Sequence, residues 1–114
     1  MIVDDSAAVR ERLRRLVQSS DNLDVVCEAA EGDEAQRLLL ATRPNVVILD
    51  LLLPGRTGLE ILRHTRELLE GTIVAILTNV VDPHILQECT RAGADYVFDK
   101  TGGIDRLLGM LKQL

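Results

Sequence analysis

Asp50 ends the most apolar run of the chain, Val46-Val47-Ile48-Leu49, and is followed by Leu51-Leu52-Leu53. A carboxylate in that setting must be paired, hydrogen-bonded or metal-bound, because burying an unpartnered charge is costly. Other polar residues stand in the same relation to short apolar runs. Asp4-Asp5 follow Met1-Ile2-Val3, Thr78 follows Ile73-Val74-Ala75-Ile76-Leu77, and Lys100 comes just after Tyr96-Val97-Phe98. Three carboxylates gathered together repel one another, and a divalent cation relieves that repulsion. Hard oxygen donors select Mg²⁺ or Mn²⁺ over softer metals. Mg²⁺ binds one or two carboxylates together with phosphate and water, so the set suits phosphoryl chemistry. Asp50 is then the candidate nucleophile, since carboxylates form aspartyl phosphates. Lys100 supplies a point positive charge for a phosphoryl oxygen, and Thr78 a hydroxyl donor.

Each residue alone has a plainer role. Asp4 or Asp5 alone would cap a helix, Thr78 would be a core hydroxyl, and Lys100 a solvated strand end. Lysine occurs only at Lys100 and Lys112, however, and the placements are joint. That combination favours a site.

The elements that position these residues are five strand-like runs alternating with five helices. Ser6 caps a helix with Val9, Leu13, Leu16 and Val17 on one face. Val25-Val26-Cys27 reads as the second strand. Gly32-Asp33 turns into a helix with Ala35, Leu38 and Leu39 inward, stopped by Pro44-Asn45. Val46 to Leu49 is apolar at every position, as in a strand covered on both faces. After Pro54, Gly55 and Gly58 comes a helix with Ile61, Leu62, Leu68 and Leu69, ended by Gly71. Asp82 caps the fourth helix, with Pro83 in its first turn and Ile85, Leu86, Cys89 and Ala92 as its stripe. Gly102-Gly103 precede a last helix carrying Ile104, Leu107, Leu108, Leu111 and Leu114.

Strict alternation predicts a single three-layer α/β domain, a parallel sheet with helices on both faces. Ligands of such sheets bind beyond the carboxyl ends of the strands, where strand order reverses. Four of the five runs end in the polar residues above; the second ends in Ala29-Ala30. Only three residues precede Asp4, so the first strand is short for a central one.

Composition narrows the function. Hydrophobic residues are 46% of the chain, enough for a packed core, and aromatics only 2%, so no base-stacking platform is available. A net charge of −5 gives no footprint for direct nucleic-acid binding. The one basic cluster, Arg10, Arg12, Arg14 and Arg15, reads as the solvated face of one helix. Cys27 and Cys89 have no ligand spacing and are expected as buried free thiols. No apolar stretch approaches the ~20 residues that span a membrane, and Asp4-Asp5 would interrupt a signal peptide. A soluble, cytoplasmic protein without membrane contact is expected. His64 lies mid-helix rather than on a helical bundle, which argues against a phosphotransfer histidine; His84 is a solvated helix-start residue.

On these residues the whole chain resembles the receiver domain of response regulators, the phosphoacceptor half of two-component signalling. Asp4-Asp5 looks like the acidic pair, and Asp50 like the phosphoacceptor, with Pro54 and Gly58 four and eight residues after it. Thr78 looks like the switch hydroxyl, Ala92-Gly93-Ala94-Asp95 like the turn before the fifth strand, and Lys100, 22 residues after Thr78, like the family's lysine. The resemblance implies a flavodoxin-like doubly wound fold, strand order 2-1-3-4-5 with five helices, and a receiver domain over residues 1–114 without an effector domain in this chain. It implies Mg²⁺ (or Mn²⁺) held by Asp5, Asp50 and the backbone carbonyl of Leu52, with Asp4 acting through a metal-bound water. A sensor histidine kinase or histidine phosphotransfer protein would phosphorylate Asp50. Thr78 and Lys100 would share the phosphoryl oxygens with the metal, and slow self-hydrolysis would reset the domain. Repacking of the face made by the fourth helix, fifth strand and fifth helix would then signal to a downstream protein or effector domain, with a monomer or a phosphorylation-promoted homodimer as the assembly.

Three positions depart from the family pattern. Val97 stands three residues before Lys100, where an aromatic is usual, with Tyr96 and Phe98 on either side. Asn79 after Thr78 is larger than usual and narrows access to the phosphoryl site. Asn79, Tyr96, Val97 and Phe98 together form the expected switch region. Thr101 replaces a common proline, so no cis peptide is expected there. The competing readings are a phosphorylation-independent interaction module and a Mg²⁺-dependent phosphohydrolase. The hydrolase wants a second acid two residues after its nucleophile, and Leu52 cannot move protons.

Overall fold

The computed structural model describes residues 1–114. The chain runs β1 (Ile2–Val3), α1 (Ala7–Gln18), β2 (Glu28–Ala29), α2 (Gly32–Thr42), β3 (Val46–Leu49), α3 (Gly58–Leu68), β4 (Ile73–Thr78), α4 (Pro83–Arg91), β5 (Tyr96–Asp99) and α5 (Ile104–Leu111). All strands pair in parallel, in the order β2-β1-β3-β4-β5. This is the expected flavodoxin-like doubly wound sheet.

Successive strand residues point to opposite faces, so the sheet supports two aliphatic layers. On one face Val3, Val47, Leu49, Val74 and Ile76 pack with Ala35 and Leu39 of α2, Ile61 and Leu62 of α3, and Cys89 of α4. On the other, Ile2, Ile48, Ala75 and Leu77 pack with Leu13 and Val17 of α1 and Leu107 and Leu111 of α5. Each fully buried aliphatic side chain contributes about 1.5–3 kcal/mol relative to exposure. The predicted caps form: Ser6 accepts from the Val9 amide and Asp82 from the His84 amide. Glu31, rather than the Gly32-Asp33 turn, caps α2 by accepting from the Glu34 and Asp33 amides. No peptide bond is cis.

Several sequence expectations shift. The second strand falls on Glu28–Ala29, not on Val25-Val26-Cys27, because its only partner, β1, offers Ile2 and Val3 opposite those two residues. Val26 instead lies exposed. Leu68, Ile85 and Leu114 are exposed rather than inward, while Thr65 is the buried residue in the last turns of α3. Cys27 is only half-buried, with its thiol 3.5 Å from the Thr42 hydroxyl; Cys89 is buried as expected. Nor is the α1 arginine cluster simply solvated. Arg14 forms a two-point pair with Glu28 of β2 at 2.6 and 3.0 Å. Its hydrogen bond, opposed by partial burial, holds the Glu28 carboxyl below the ordinary carboxylate range.

Arg66 is a tie between elements. Its guanidinium donates to the carbonyls of Gly93, Glu70 and Thr72 and to the Asp95 carboxylate. Asp95 also accepts from the Val74 amide at 2.8 Å. One side chain thus fixes the end of α3, the start of β4 and the turn into β5. His84 is exposed at the start of α4, and His64 is half-buried on α3. No helix is long and apolar enough to cross a membrane.

Candidate functional site

The parallel ladders assemble the site. Val3 is in register with Leu49, so Asp4 and Asp50 emerge side by side from the ends of β1 and β3. The Asp50 amide donates to the Val3 carbonyl at 3.0 Å, and the Asp4 amide to the Ala29 carbonyl at 3.1 Å. On the far side, Thr78 is in register with Asp99, and the Lys100 amide donates to the Thr78 carbonyl at 3.1 Å. Lys100 therefore leaves the sheet pointing back across β4.

Its ammonium lies 2.7 Å from Asp4 Oδ2 and 2.8 Å from Asp50 Oδ2. Asp4 and Asp50 are only 2% and 4% exposed, so both acids are removed from water. Burial pulls the Lys100 pKa down, but hydrogen bonds to Asp4 and Asp50 and their charges outweigh it and leave the pKa above its ordinary value. The lysine is thus an ammonium at neutral pH.

Asp5 is exposed, yet one of its carboxylate oxygens lies within 4.8 Å of oxygens from both Asp4 and Asp50. Three carboxylates against one ammonium leave two negative charges, the charge of one divalent cation. Ligands on opposite sides of Mg²⁺ are about 4 Å apart, so small rotamer shifts would close the shell. The donor set is all oxygen. The residues fit a hard divalent ion.

Remaining lone pairs have defined partners. Asp4 Oδ1 accepts from the Ser6 amide at 2.9 Å, and Asp50 Oδ1 from the Leu52 amide at 3.3 Å. Thr78 is fully buried, and its hydroxyl accepts from the Val80 amide at 3.2 Å. Tyr96 and Phe98 share one face of β5 and stack, ring centroids 5.9 Å apart. Phe98 packs toward the α1–α5 layer and Val97 toward the opposite one. A recess of about 520 Å³ between α4 and α5 is lined by Val97, Thr78 and Leu86. Another, of about 280 Å³, lies beside Met1 and Val46 at the amino end of the sheet, away from all of these residues.

Two supports went unrecognised in the sequence. Arg10 donates to the Asp4 carbonyl at 2.7 Å and lies 3.6 Å from Glu28, tying the acidic pair to α1 and β2. Nothing in the arginine spacing distinguishes it from Arg12 or Arg15. Gly58 was legible as a loop residue but not for its role. A Cβ there would lie 2.2 Å from the Asp50 carbonyl oxygen, which only glycine permits. Gly58→Ala is expected to cost about 1–3 kcal/mol by overpacking and to push the Asp50 backbone outward. Urea unfolding would measure the first effect and Mg²⁺ titration the second; a variant as stable as wild type would contradict the packing argument.

The receiver-domain family model, described as response regulator receiver domain, matches residues 1–112. The chain is 34% identical over 94 residues to the transcriptional regulatory protein YdfI of Bacillus subtilis, covering 82% of this chain and 44% of that protein. It is 32% identical over its full length to the nitrate/nitrite response regulator protein homolog of Haemophilus influenzae, of which it covers 55%. The chain thus spans about half the length of these curated relatives. Among solved structures, a two-component response regulator of the LuxR family from Aurantimonas superposes with a TM-score of 0.90 at 34% identity, covering 99% of this chain and 81% of that one.

Proposed function

The chain belongs to the response regulator receiver domain family of two-component signalling, and we propose that it is a phosphorylation switch whose acceptor is Asp50. The observation that carries this reading is the Lys100 ammonium bridging Asp4 and Asp50 beside Asp5. A lysine merely completing a core would not be set among three acids that outnumber it. In this reading Asp5, Asp50 and the Leu52 carbonyl hold Mg²⁺ or Mn²⁺, with Asp4 acting through a bound water. When bound, the cation neutralises charge on the transferring phosphoryl group.

The chain's own residues do the rest. An Asp50 oxygen attacks phosphorus, and the bond from phosphorus to the donor's leaving atom breaks. Lys100 transfers its charge from the Asp50 carboxylate to a phosphoryl oxygen, and the Thr78 hydroxyl donates to another. Most of the acceleration comes from positioning and charge. The donor is a sensor histidine kinase or histidine phosphotransfer protein. The added charge of close to −2 draws Thr78 toward the acceptor, and the α4-β5-α5 face repacks to signal to a partner or effector domain. Val97 is too short to act as an aromatic switch, so this repacking involves Asn79, Tyr96 and Phe98 instead. Residues 1–114 form the receiver unit, placed in the cytoplasm.

A phosphorylation-independent module is the weaker reading, because it leaves the buried acid–lysine cluster without a purpose. Intact mass after incubation with acetyl phosphate separates the two. One phosphoryl adduct is expected with Mg²⁺ and none with chelator. Absence of an adduct in both would overturn the switch.

A further inference from the structure

The connection from β1 to α1 places two of the three acids, yet the sheet holds little of it. β1 has only two residues, and the last ladder bond before α1 runs from the Asp4 amide to the Ala29 carbonyl at 3.1 Å. Asp5 is exposed, and neither its amide nor its carboxylate takes part in a hydrogen bond. Nothing on Asp5 itself aims its carboxylate, although one of its oxygens lies within 4.8 Å of oxygens from Asp4 and Asp50.

The two peptide planes that flank Asp5 are held instead. The peptide from Asp4 to Asp5 is planar, so fixing the Asp4 carbonyl fixes the Asp5 amide. Arg10 donates to that carbonyl at 2.7 Å. The next plane is held through the Ser6 amide, which donates to Asp4 Oδ1 at 2.9 Å. With both planes pinned, the two soft backbone dihedrals of Asp5 are set, and the direction of its side chain with them. Arg10 is itself held. It is half-buried early in α1, its amide donates to the Ser6 carbonyl at 3.0 Å, and its guanidinium lies 3.6 Å from Glu28. Arg14 grips Glu28 in turn at 2.6 and 3.0 Å. A run of contacts thus leads from the β2 edge, through two arginines, to the backbone of the acidic pair.

We propose that Arg10 is a positioning residue for Asp5 as a metal ligand, an inference that rests on the acidic triad being the Mg²⁺ site. Charge alone predicts the opposite sign. Arg10 is a cation bonded to the backbone of the acidic pair, so its removal would leave the site more negative and tighten a divalent cation. Loss of positioning instead frees the Asp4–Asp5 peptide to turn, and the cation binds more weakly.

Isothermal titration calorimetry of the chain with Mg²⁺ alone reads that sign. Arg10→Ala is expected to raise the Kd about tenfold, the lower end for losing an outer contact to a metal ligand. Arg10→Lys keeps the charge but not the planar fork and should recover part of the affinity. The rate of phosphorylation by acetyl phosphate at saturating Mg²⁺ should stay within about twofold of wild type, because Arg10 acts on occupancy of the site and not on transfer. Urea unfolding without metal is measured alongside, and Arg10→Lys carries the test if Arg10→Ala does not fold. Unchanged or tighter Mg²⁺ binding in the variants, or a saturated rate that falls as far as the affinity does, would overturn the assignment. If wild type itself binds no Mg²⁺, the metal reading of the triad fails first, and the role of Arg10 with it.

Discussion

Asp50→Asn is expected to abolish the phosphoryl adduct while leaving the fold about as stable as wild type. The two halves of this prediction have separate causes. Asparagine has no nucleophilic carboxylate, so transfer stops entirely rather than slowing. Stability is spared because the substitution trades one loss for one gain. Lys100 loses one of its two charged partners but keeps Asp4 at 2.7 Å. In exchange, the triad of carboxylates loses one of its mutually repelling charges. Asparagine matches aspartate in shape, and its single oxygen can keep Lys100, so the acceptor contact given up is the longer one, to the Leu52 amide at 3.3 Å. The net change in unfolding free energy should lie within about 1 kcal/mol. Intact mass reads the first half and urea unfolding the second. The Mg²⁺-induced rise in Tm should also shrink, since a ligand stabilises in proportion to its affinity for the folded state. An adduct persisting on the variant would move the acceptor to another residue, with Asp4 and Asp5 the neighbouring carboxylates.

How far the sequence reached follows from what kind of signal each residue leaves. Asp50 and Lys100 were legible because a charge at the end of an apolar run is a local anomaly. Once the strands were placed, the parallel topology brought their ends together. The continuous runs of β3 and β4 had to be buried on both faces, and they are. The second strand was missed because apolar content alone does not decide pairing: Val25-Val26-Cys27 is the more apolar stretch, but hydrogen-bond register put Glu28–Ala29 opposite β1. Leu68 and Ile85 fit their helical stripes by spacing, yet both lie at the exposed margin of theirs. Arg66 left no local signal at all. Its partners Thr72, Gly93 and Asp95 come from two separate connections, α3–β4 and α4–β5, and only the folded chain shows that they meet. Gly58 was visible as a turn residue, but the approach of its backbone to the Asp50 carbonyl depends on how α3 docks.

Lys100→Met should damage the metal-free fold and phosphoryl transfer together, and Mg²⁺ should repair only the fold. The ammonium is the one cation paired with the Asp4 and Asp50 carboxylates, whose side chains are 3% and 4% exposed. Removing it leaves two adjacent buried carboxylates without compensation. Breaking a buried pair in this way typically costs about 3–5 kcal/mol, a large share of the 5–15 kcal/mol that holds a domain of this size together. The deficit should have a distinctive pH dependence. Lys100 has a pKa raised in the folded state, so its stabilising contribution is complete below the unfolded lysine value of about 10.4 and is lost as pH rises through the folded value. The gap between wild type and variant should therefore be flat across neutral pH and close as pH rises into the alkaline range. Mg²⁺ and the ammonium answer the same surplus of negative charge, so the variant should bind Mg²⁺ more tightly than wild type and gain more in Tm from it. Transfer from acetyl phosphate should stay at least about a hundredfold slower at saturating Mg²⁺, because the metal does not replace a donor aimed at a phosphoryl oxygen. Denaturant midpoints with and without Mg²⁺, beside phosphorylation rates, test the separation. Recovery of both by the metal would mean that Lys100 serves only to balance charge.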